Sequence, residues 1–333
     1  MKKTKLLLLA ALLVSGSLVS CGGKAEKMTV GVGYSGSFNA TKGQLDLTAA
    51  FVAFNSKGVI VDSRLDVVQV KVAANEAKDG LTLTNKNVDA NHSVTSKLEL
   101  GPDYGMGGIS KIGKEVDEQI EAFADWTVGK TVEEVKSKVI PGSGHGTPVA
   151  EDLTTSVTIS VDAFVSAVEC AYANKSTVEY DVVKDAKAGI GMISGLAYNY
   201  GKPTKELDVV VGGAMVKDGK VVAATFDQVV FPVAIAEDGT LSGDTTAKYF
   251  KDGVLKSKKV LGDAYAMKPA SGIKKEWFEQ AAVIDAACAG KTATEITALE
   301  KGKGELSGAT MTVSSYLSAI AKAVNYAPLA NIK

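Results

Sequence analysis

Histidine and cysteine are scarce in this chain of 333 residues, and their scarcity excludes several kinds of site. The two histidines, His92 and His145, both lie in the first half. A histidine-ligated metal site or a Ser-His-Asp relay therefore cannot be present in both halves. No Cys-x-x-Cys-His sequence for haem attachment occurs among the three cysteines. The spacing of Cys170 and Cys288 argues against a disulfide framework, and we expect both to be small buried residues.

The chain also lacks a strong charge of one sign and an apolar run long enough to cross a bilayer. Its net charge is −1, with 23% charged and 46% hydrophobic residues, which is typical of folded globular domains. Residues 6–13 form an apolar run after Lys2, Lys3 and Lys5, and this length suits the core of a signal peptide. Loss of these lysines would leave a mildly acidic chain, so we expect no nucleic-acid partner.

The apolar run ends in Leu18-Val19-Ser20-Cys21-Gly22, where small residues precede a cysteine. This sequence resembles the lipobox of bacterial lipoproteins, in which the cysteine is diacylated and becomes the new N-terminus. The alternative is an ordinary secretory signal with a cysteine there by chance. We expect a signal peptide over residues 1–20 and a lipidated tether over 21–27. Two acyl chains on Cys21 would anchor the protein stably in the lipid bilayer, on the extracellular face of the cell membrane.

The sequence contains an internal repeat. Residues 100–131 recur as 261–292 at a constant offset of 161, and residues 164–168 recur as 316–320 at an offset of 152. The first half therefore has nine extra residues, most simply placed in the Gly/Pro-rich stretch 141–150. A unit of roughly 150 residues has the size of a domain. We expect two tandem homologous domains, over 28–174 and 188–333, with a linker over 175–187, and each with its own core.

Each half shows strand patterns first and helical patterns later. Residues 44–55 and 59–72 predict one hairpin, and residues 207–216 and 220–230 predict another around Asp218-Gly219. Apolar positions three and four apart predict helices over 115–123 and 276–286, and a C-terminal helix is expected over 315–324. The fold class is therefore α+β, with an antiparallel sheet followed by helices in each half.

The tripeptide Gly-Lys-Thr occurs at 129–131 and again at 290–292, which invites a phosphate-loop interpretation. The glycine that should stand five residues upstream is missing, because Ala124 and Asp285 occupy those positions. The Thr-x-x-Glu spacing that follows predicts a capping box at the start of a further helix in each half.

Two matched hydroxyl sites remain. Residues 304–310 read Gly-Glu-Leu-Ser-Gly-Ala-Thr, with Ser307, Gly308, Ala309 and Thr310 at the end. The segment resembles the flavinylation motif of FMN-binding domains, Asp-x-x-[Ser/Thr]-Gly-Ala-[Ser/Thr]. In that family a flavin transferase joins the FMN phosphate to the last hydroxyl as a phosphodiester. The resemblance implies that Thr310 is the acceptor, although Gly304 stands where the motif has aspartate.

The first half fits the same pattern with Asp152, Thr155 and Thr158, which implies Thr158 as a second acceptor. Ser156 and Val157 replace the Gly-Ala centre of the motif. Small residues there would let the hydroxyl enter another enzyme's active site, and valine is bulkier and stiffer. The alternative for the first site is an ordinary threonine-rich strand or turn.

The whole arrangement resembles the pheromone-encoding flavinylated lipoproteins of Gram-positive extracellular electron transfer. The resemblance implies covalent FMN on both threonines, loading by membrane quinone or NADH dehydrogenase components, and extracellular acceptors such as ferric iron. It also implies a redox carrier rather than an enzyme with its own substrate, and a signalling peptide from within residues 9–20. Two pairs of residues at matching positions could flank the flavin ring: Tyr104 with Met106, and Tyr265 with Met267. The alternative is that they pack in the core.

Two further alternatives stay open. The chain could be a cofactor-free surface binding lipoprotein, or a single-flavin carrier that uses only Thr310. The number of flavins per chain distinguishes them.

Overall fold

The computed structural model describes residues 25–90, 92–139 and 150–327. The predicted signal peptide, the lipidated Cys21, the source of the signalling peptide and residues 141–149 of the first-half insertion lie outside the described residues.

The first half contains a five-stranded antiparallel sheet, in the order β4-β3-β2-β1-β5, followed by helices. A 3-10 turn at Gly101–Tyr104 follows the first helix. The elements in chain order are β1 (Lys27–Asn39), β2 (Gln44–Asn55), β3 (Ile60–Ala74), β4 (Leu81–Leu83), α1 (Lys97–Leu100), α2 (Val116–Thr127), α3 (Val132–Lys136), α4 (Glu151–Thr154), α5 (Asp162–Ala173) and β5 (Tyr180–Asp181).

The second half repeats this order with a four-stranded antiparallel sheet, β6-β7-β8-β9, and a separate two-stranded hairpin. Two 3-10 turns, Gly262–Tyr265 and Gly304–Leu306, lie among its helices. The elements are β6 (Lys187–Leu196), β7 (Glu206–Lys217), β8 (Lys220–Ile235), β9 (Leu241–Gly243), β10 (Phe250–Lys251), β11 (Val254–Leu255), α6 (Lys258–Leu261), α7 (Trp277–Ala287), α8 (Ala293–Thr297) and α9 (Ser314–Tyr326).

The mixed α+β class with antiparallel sheets is confirmed. Both predicted hairpins are present as β2-β3 and β7-β8, and the predicted helices are α2, α7 and α9. The Thr-x-x-Glu segments form capping boxes: Thr131 caps α3 with Glu134, and Thr292 caps α8 with Glu295. Strands β1 and β6, which precede the hairpins, were not predicted. Residues 175–187, expected as a linker, contribute β5, which pairs with Lys27 and Met28 at the start of β1.

The two sheets pack face to face. One cluster of buried residues joins β1–β3 of the first sheet to β6–β8 of the second, with members such as Val30, Leu47, Phe51 and Val211. Each half also has one further cluster, which lies between its sheet and its own helices. The layers are therefore helices, sheet, sheet, helices. Each half therefore buries a core of its own beneath its helices, and the two halves also share a third, central core that the sequence did not predict.

Helices α5 and α9 lie very close to strands β1 and β6. A Cβ atom at Gly33 would be 2.1 Å from the carbonyl oxygen of Ala167 in α5, and one at Gly191 would be 2.4 Å from that of Ala319 in α9. Such distances are sterically impossible, so only glycine permits this approach. The same contact in both halves fixes each helix against its first strand.

Each half buries the carboxylate of an aspartate in its third strand, next to the start of a short helix. Asp66 Oδ1 accepts hydrogen bonds from the backbone N–H of Val67 (2.7 Å) and Leu98 (3.1 Å). The counterpart, Asp227, accepts from Ser257 Oγ at 2.5 Å and from the N–H of Lys259 at 3.1 Å. Burial raises the pKa of Asp66 to about 7, and burial also raises the pKa of Asp227.

We expect stability to fall as the pH rises from about 4 to about 7. The pKa of Asp66 is about 7 in the folded chain and about 3.9 in an unfolded one. Between these values the folded chain binds more protons, so each pH unit costs about 1 kcal/mol. Asp66→Asn keeps a carbonyl acceptor and should make this slope shallower, while Asp227 continues to contribute to it. Urea midpoints from pH 4.5 to 8 measure it, with exposed Asp103→Asn as the control. Parallel pH curves for wild type and Asp66→Asn would contradict the assignment.

Candidate functional site

The two motif threonines occupy equivalent places in the two halves. Thr158 lies between α4 and α5, and Thr310 lies between the turn Gly304–Leu306 and α9. Each stands four residues before the first residue of the helix that packs on the sheet, Asp162 or Ser314. The repeated fold therefore presents two matched hydroxyl groups.

A buried glutamine holds each threonine. Gln119 Oε1 accepts from the N–H of Thr158 (2.8 Å), from its Oγ1 (3.2 Å) and from the N–H of Ile159 (3.2 Å). Gln280 Oε1 accepts from Thr310 N (2.8 Å), Thr310 Oγ1 (3.2 Å) and Met311 N (3.2 Å). The hydroxyl donates its proton to the amide oxygen, so its lone pairs stay available. Each site therefore offers a hydroxyl oxygen in a fixed orientation.

The orientation of both glutamines is fixed from the other end of the amide. Gln119 Nε2 donates to Ser110 Oγ and to the carbonyl of Lys114, both at 3.2 Å. Gln280 Nε2 donates in the same way to Ser271 Oγ at 3.2 Å and to the Lys275 carbonyl at 3.4 Å. These pairs match at the offset of 161 residues. The sequence showed the match, but did not assign the glutamines a role.

A glutamate at the start of each long helix ties the adjoining loop in place. The Glu115 carboxylate accepts from the N–H groups of Met106 (2.8 Å) and Gly107 (2.6 Å). Glu276 accepts from those of Met267 (2.9 Å) and Lys268 (3.0 Å). Because the loops after residues 104 and 265 carry the serines that orient the glutamines, the glutamates stabilise the sites indirectly.

Thr158 is exposed and opens into a cavity of about 480 Å³. Met106 and Ile109 form its apolar side, and Lys111 adds a positive charge. Ile109 is 84% exposed and leaves an apolar surface next to the hydroxyl. Of the residues considered for ring contact, Met106 lines this cavity, whereas Tyr104 packs partly buried against the core.

Thr310 is half-buried, and its surroundings explain the small residues of its motif. A Cβ atom at Gly308 would lie 3.2 Å from Cγ2 of Val283 and 3.5 Å from Nζ of Lys275. In the first half the matching positions hold Ser156 and, in α2, Ala122. A larger motif residue therefore accompanies a smaller helix residue there. The Lys275 ammonium group gives the second site a positive charge beside the motif.

The remaining motif residues have separate surroundings. Asp152 Oδ2 accepts a hydrogen bond from Trp126 Nε1 at 3.1 Å, while its counterpart Gly304 has a φ angle of 49° that favours glycine. Thr155 and Ser307 are exposed. Val157 and Ala309 are both buried in the cores beneath the helices. The bulk of Val157 is therefore accommodated in the core, and the Thr158 hydroxyl is held as the Thr310 hydroxyl is.

The remaining cysteines are unsuited to redox chemistry as thiolates. Cys288 is fully buried and Cys170 partly so. Burial raises the pKa of Cys288 to about 12 and raises that of Cys170. Cys170 is less buried than expected. Its sulfur accepts a hydrogen bond from Asn174 Nδ2 at 3.3 Å and also contacts the Tyr34 backbone. Within residues 25–90, 92–139 and 150–327, no group of three or more potential side-chain metal ligands occurs.

The site and fold together define a mixed α+β protein with two repeated, glutamine-held threonines. No helix in the described part of the chain is long and apolar enough to cross a membrane. Comparisons with family models, curated proteins and solved structures found no significant match to this chain.

Proposed function

We propose that this protein is a membrane-anchored extracellular electron carrier that holds FMN covalently on Thr158 and Thr310. In this proposal the two halves are tandem homologous domains that resemble FMN-binding domains. The observation that carries it is the repeated hydrogen bonding of both motif threonines to Gln119 and Gln280, at equal distances in the two halves. This bonding orients both hydroxyl groups in the same way, which is what attachment of the same group in both halves requires.

The residues around the threonines fit a phosphate ester. Esterification removes the hydroxyl proton, but two backbone N–H groups would still bind each glutamine and keep the turn in place. Lys111 and Lys275 supply positive charge near the first and second site. Met106 and Ile109 offer the first site an apolar surface for a ring. Bound FMN would supply one- and two-electron chemistry, while the protein places it and sets its surroundings.

Each site lies in the helical layer of its own half, with both sheets between the two layers. We infer that the two flavins would face different sides of the protein and exchange electrons separately with their partners. A flavin transferase would attach them. Membrane quinone or NADH dehydrogenase components would load electrons, and extracellular acceptors such as ferric iron would receive them. Anchoring through Cys21 and release of a peptide from residues 9–20 rest on the leader sequence.

Intact-protein mass spectrometry of the leaderless chain, co-expressed with a flavin transferase, tests the proposal. We expect two added FMN masses, one lost in Thr158→Ala and the other in Thr310→Ala. Ser160→Ala and Thr312→Ala, at matching exposed hydroxyl residues just after each motif, should keep both. A single mass that depends on Thr310 would favour the single-flavin carrier. No added mass would reject the flavin proposal and favour the cofactor-free binding protein.

A further inference from the structure

The two halves differ at the free edge of their first strand. In the second half this edge is closed at Ser194. The N–H of Val94 donates to the Ser194 carbonyl at 2.9 Å, and the N–H of Ser194 donates to Ser93 Oγ at 3.0 Å. Ser194 is only 3% exposed. A segment of the first half thus covers the edge of the second sheet.

The equivalent position in the first half is Gly36, and there the edge is open. Strands β1 and β2 pair in one unbroken register, so alternate residues of β1 direct both backbone groups away from β2. The Val30 carbonyl, which accepts from Ser176 N at 2.8 Å, shows that these are the even-numbered residues. The N–H and C=O of Gly36 therefore point outward. Gly36 is exposed, and these two groups have no partner within the described ranges.

The segment that could have covered Gly36 pairs elsewhere. Leu255, which matches Val94 in the repeat, pairs with Phe250 in the β10-β11 hairpin. The Tyr34 hydroxyl accepts from the N–H of Ser257 at 2.5 Å and donates to the Leu255 carbonyl at 3.3 Å. The phenol ring thus stands between β1 and the hairpin. Met192, its counterpart by position, has no hydroxyl for such bonds.

The open edge lines a cavity of about 580 Å³ between the halves. Aromatic rings form one side: Phe38 stacks on Phe231 with centroids 5.2 Å apart, and Phe250 meets Phe231 edge-on at 5.8 Å. The helical side carries hydroxyl groups, including that of Ser166 on α5. The volume and this mixture of aromatic and polar groups are typical of small-molecule sites.

We propose that this cavity binds a planar ring compound with adjacent N–H and C=O groups on one edge, a cyclic imide of the free-flavin type. The outward N–H and C=O of Gly36 lie side by side, as they do when two strands exchange both hydrogen bonds, so one imide edge pairs with both. The phenylalanines pack against the ring face. This proposal does not rest on the threonine sites.

The geometry disfavours other occupants. Contacts of the Val30 carbonyl with Ser176 and of the Tyr34 backbone with the Cys170 sulfur interrupt the edge, so too little remains for an added peptide strand. A quinone offers two carbonyl acceptors and no donor, which would leave the Gly36 carbonyl unpaired.

Riboflavin is the probe, because it has no phosphate for a transferase to attach. Fluorescence titration uses the leaderless chain with Thr158→Ala and Thr310→Ala, so that covalent flavin cannot interfere. We expect saturable binding at one site per chain. Gly36→Pro removes the outward N–H without breaking the ladder and should weaken binding about tenfold. Gly36→Ala keeps the N–H, and its Cβ would be 3.4 Å from the nearest atom, so binding should persist.

A second pair of variants does not touch the strand. Ser166→Trp fills the cavity from an exposed helix position and should abolish binding, whereas Ser318→Trp, the matching change in α9, should leave it unchanged. Absence of saturable binding, or survival of full affinity in Gly36→Pro or Ser166→Trp, would overturn the proposal. Menadione binding as tightly as riboflavin would reject the imide recognition. Covalent flavin is counted separately by mass, so either proposal can fail alone.

Discussion

Gly33→Ala is expected to destabilise the fold by about 3 kcal/mol or more, because the new methyl group would have to overlap helix α5. Its Cβ would lie 2.1 Å from the Ala167 carbonyl oxygen and 2.2 Å from the Ala171 nitrogen. Both are backbone atoms, so no side chain can rotate away, and the whole helix must shift by roughly 1 Å. Urea unfolding followed by circular dichroism measures the loss.

Gly36→Ala in the same strand is the matched control. Its Cβ would make ordinary contacts with leucine side chains, the nearest at 3.4 Å from the tip of Leu255, so we expect a change within about 0.5 kcal/mol. Gly191→Ala repeats the test in the second half, where α9 approaches β6 in the same way. Equal stability of Gly33→Ala and Gly36→Ala would show that the helix is not held as described.

These glycines also explain which strands could be predicted from the sequence. The hairpins β2-β3 and β7-β8 are rich in Val, Leu and Phe and flank turns with glycine, which is a strong local signal. Strands β1 and β6 carry glycine at Gly31, Gly33, Gly189 and Gly191, and glycine is depleted in strands. Glycine is required there because a helix more than 120 residues later in the chain packs closely against the strand. No local sequence pattern reveals this contact.

The shared central core could not be predicted from the sequence for a similar reason. The repeat predicted two units of domain size, and the strands predicted a sheet in each. Both faces of β2 are buried, with Phe51 in the central core and Phe54 beneath the helices. A strand that is apolar on both sides needs two covering layers, but the sequence does not say that one of them is the other sheet.

The sequence predicted the motif threonines of the site but not the residues that hold them. Thr158 and Thr310 followed from a short pattern, and the structure places both in equivalent surroundings. Gln119 and Gln280 lie in helices for which the sequence predicted an apolar and a polar face, and a glutamine is ordinarily expected on the exposed, polar face. Both are fully buried instead, because loops 30 or more residues away close over them. Their recurrence at one offset was the available signal.

Gln280→Met is expected to prevent flavin attachment at Thr310 and to destabilise the second half by about 2–6 kcal/mol. Methionine fills similar space but leaves the N–H groups of Thr310 and Met311 without their acceptor, at about 1–3 kcal/mol for each buried group. The turn would then lose the bonds that orient the hydroxyl. Mass spectrometry after co-expression with the transferase should find one FMN, still attached at Thr158.

Gln119→Met is the reciprocal variant and should leave one FMN on Thr310. Attachment at the untouched threonine is the folding control in each variant, because both halves contribute to the central core and that core must stay intact. Gln280→Glu separates positioning from packing: it keeps an acceptor for the two N–H groups but sets an oxygen against the Lys275 carbonyl. We expect partial attachment in that variant. Full attachment at both threonines in both methionine variants would show that the glutamines stabilise the fold without positioning the acceptor hydroxyl.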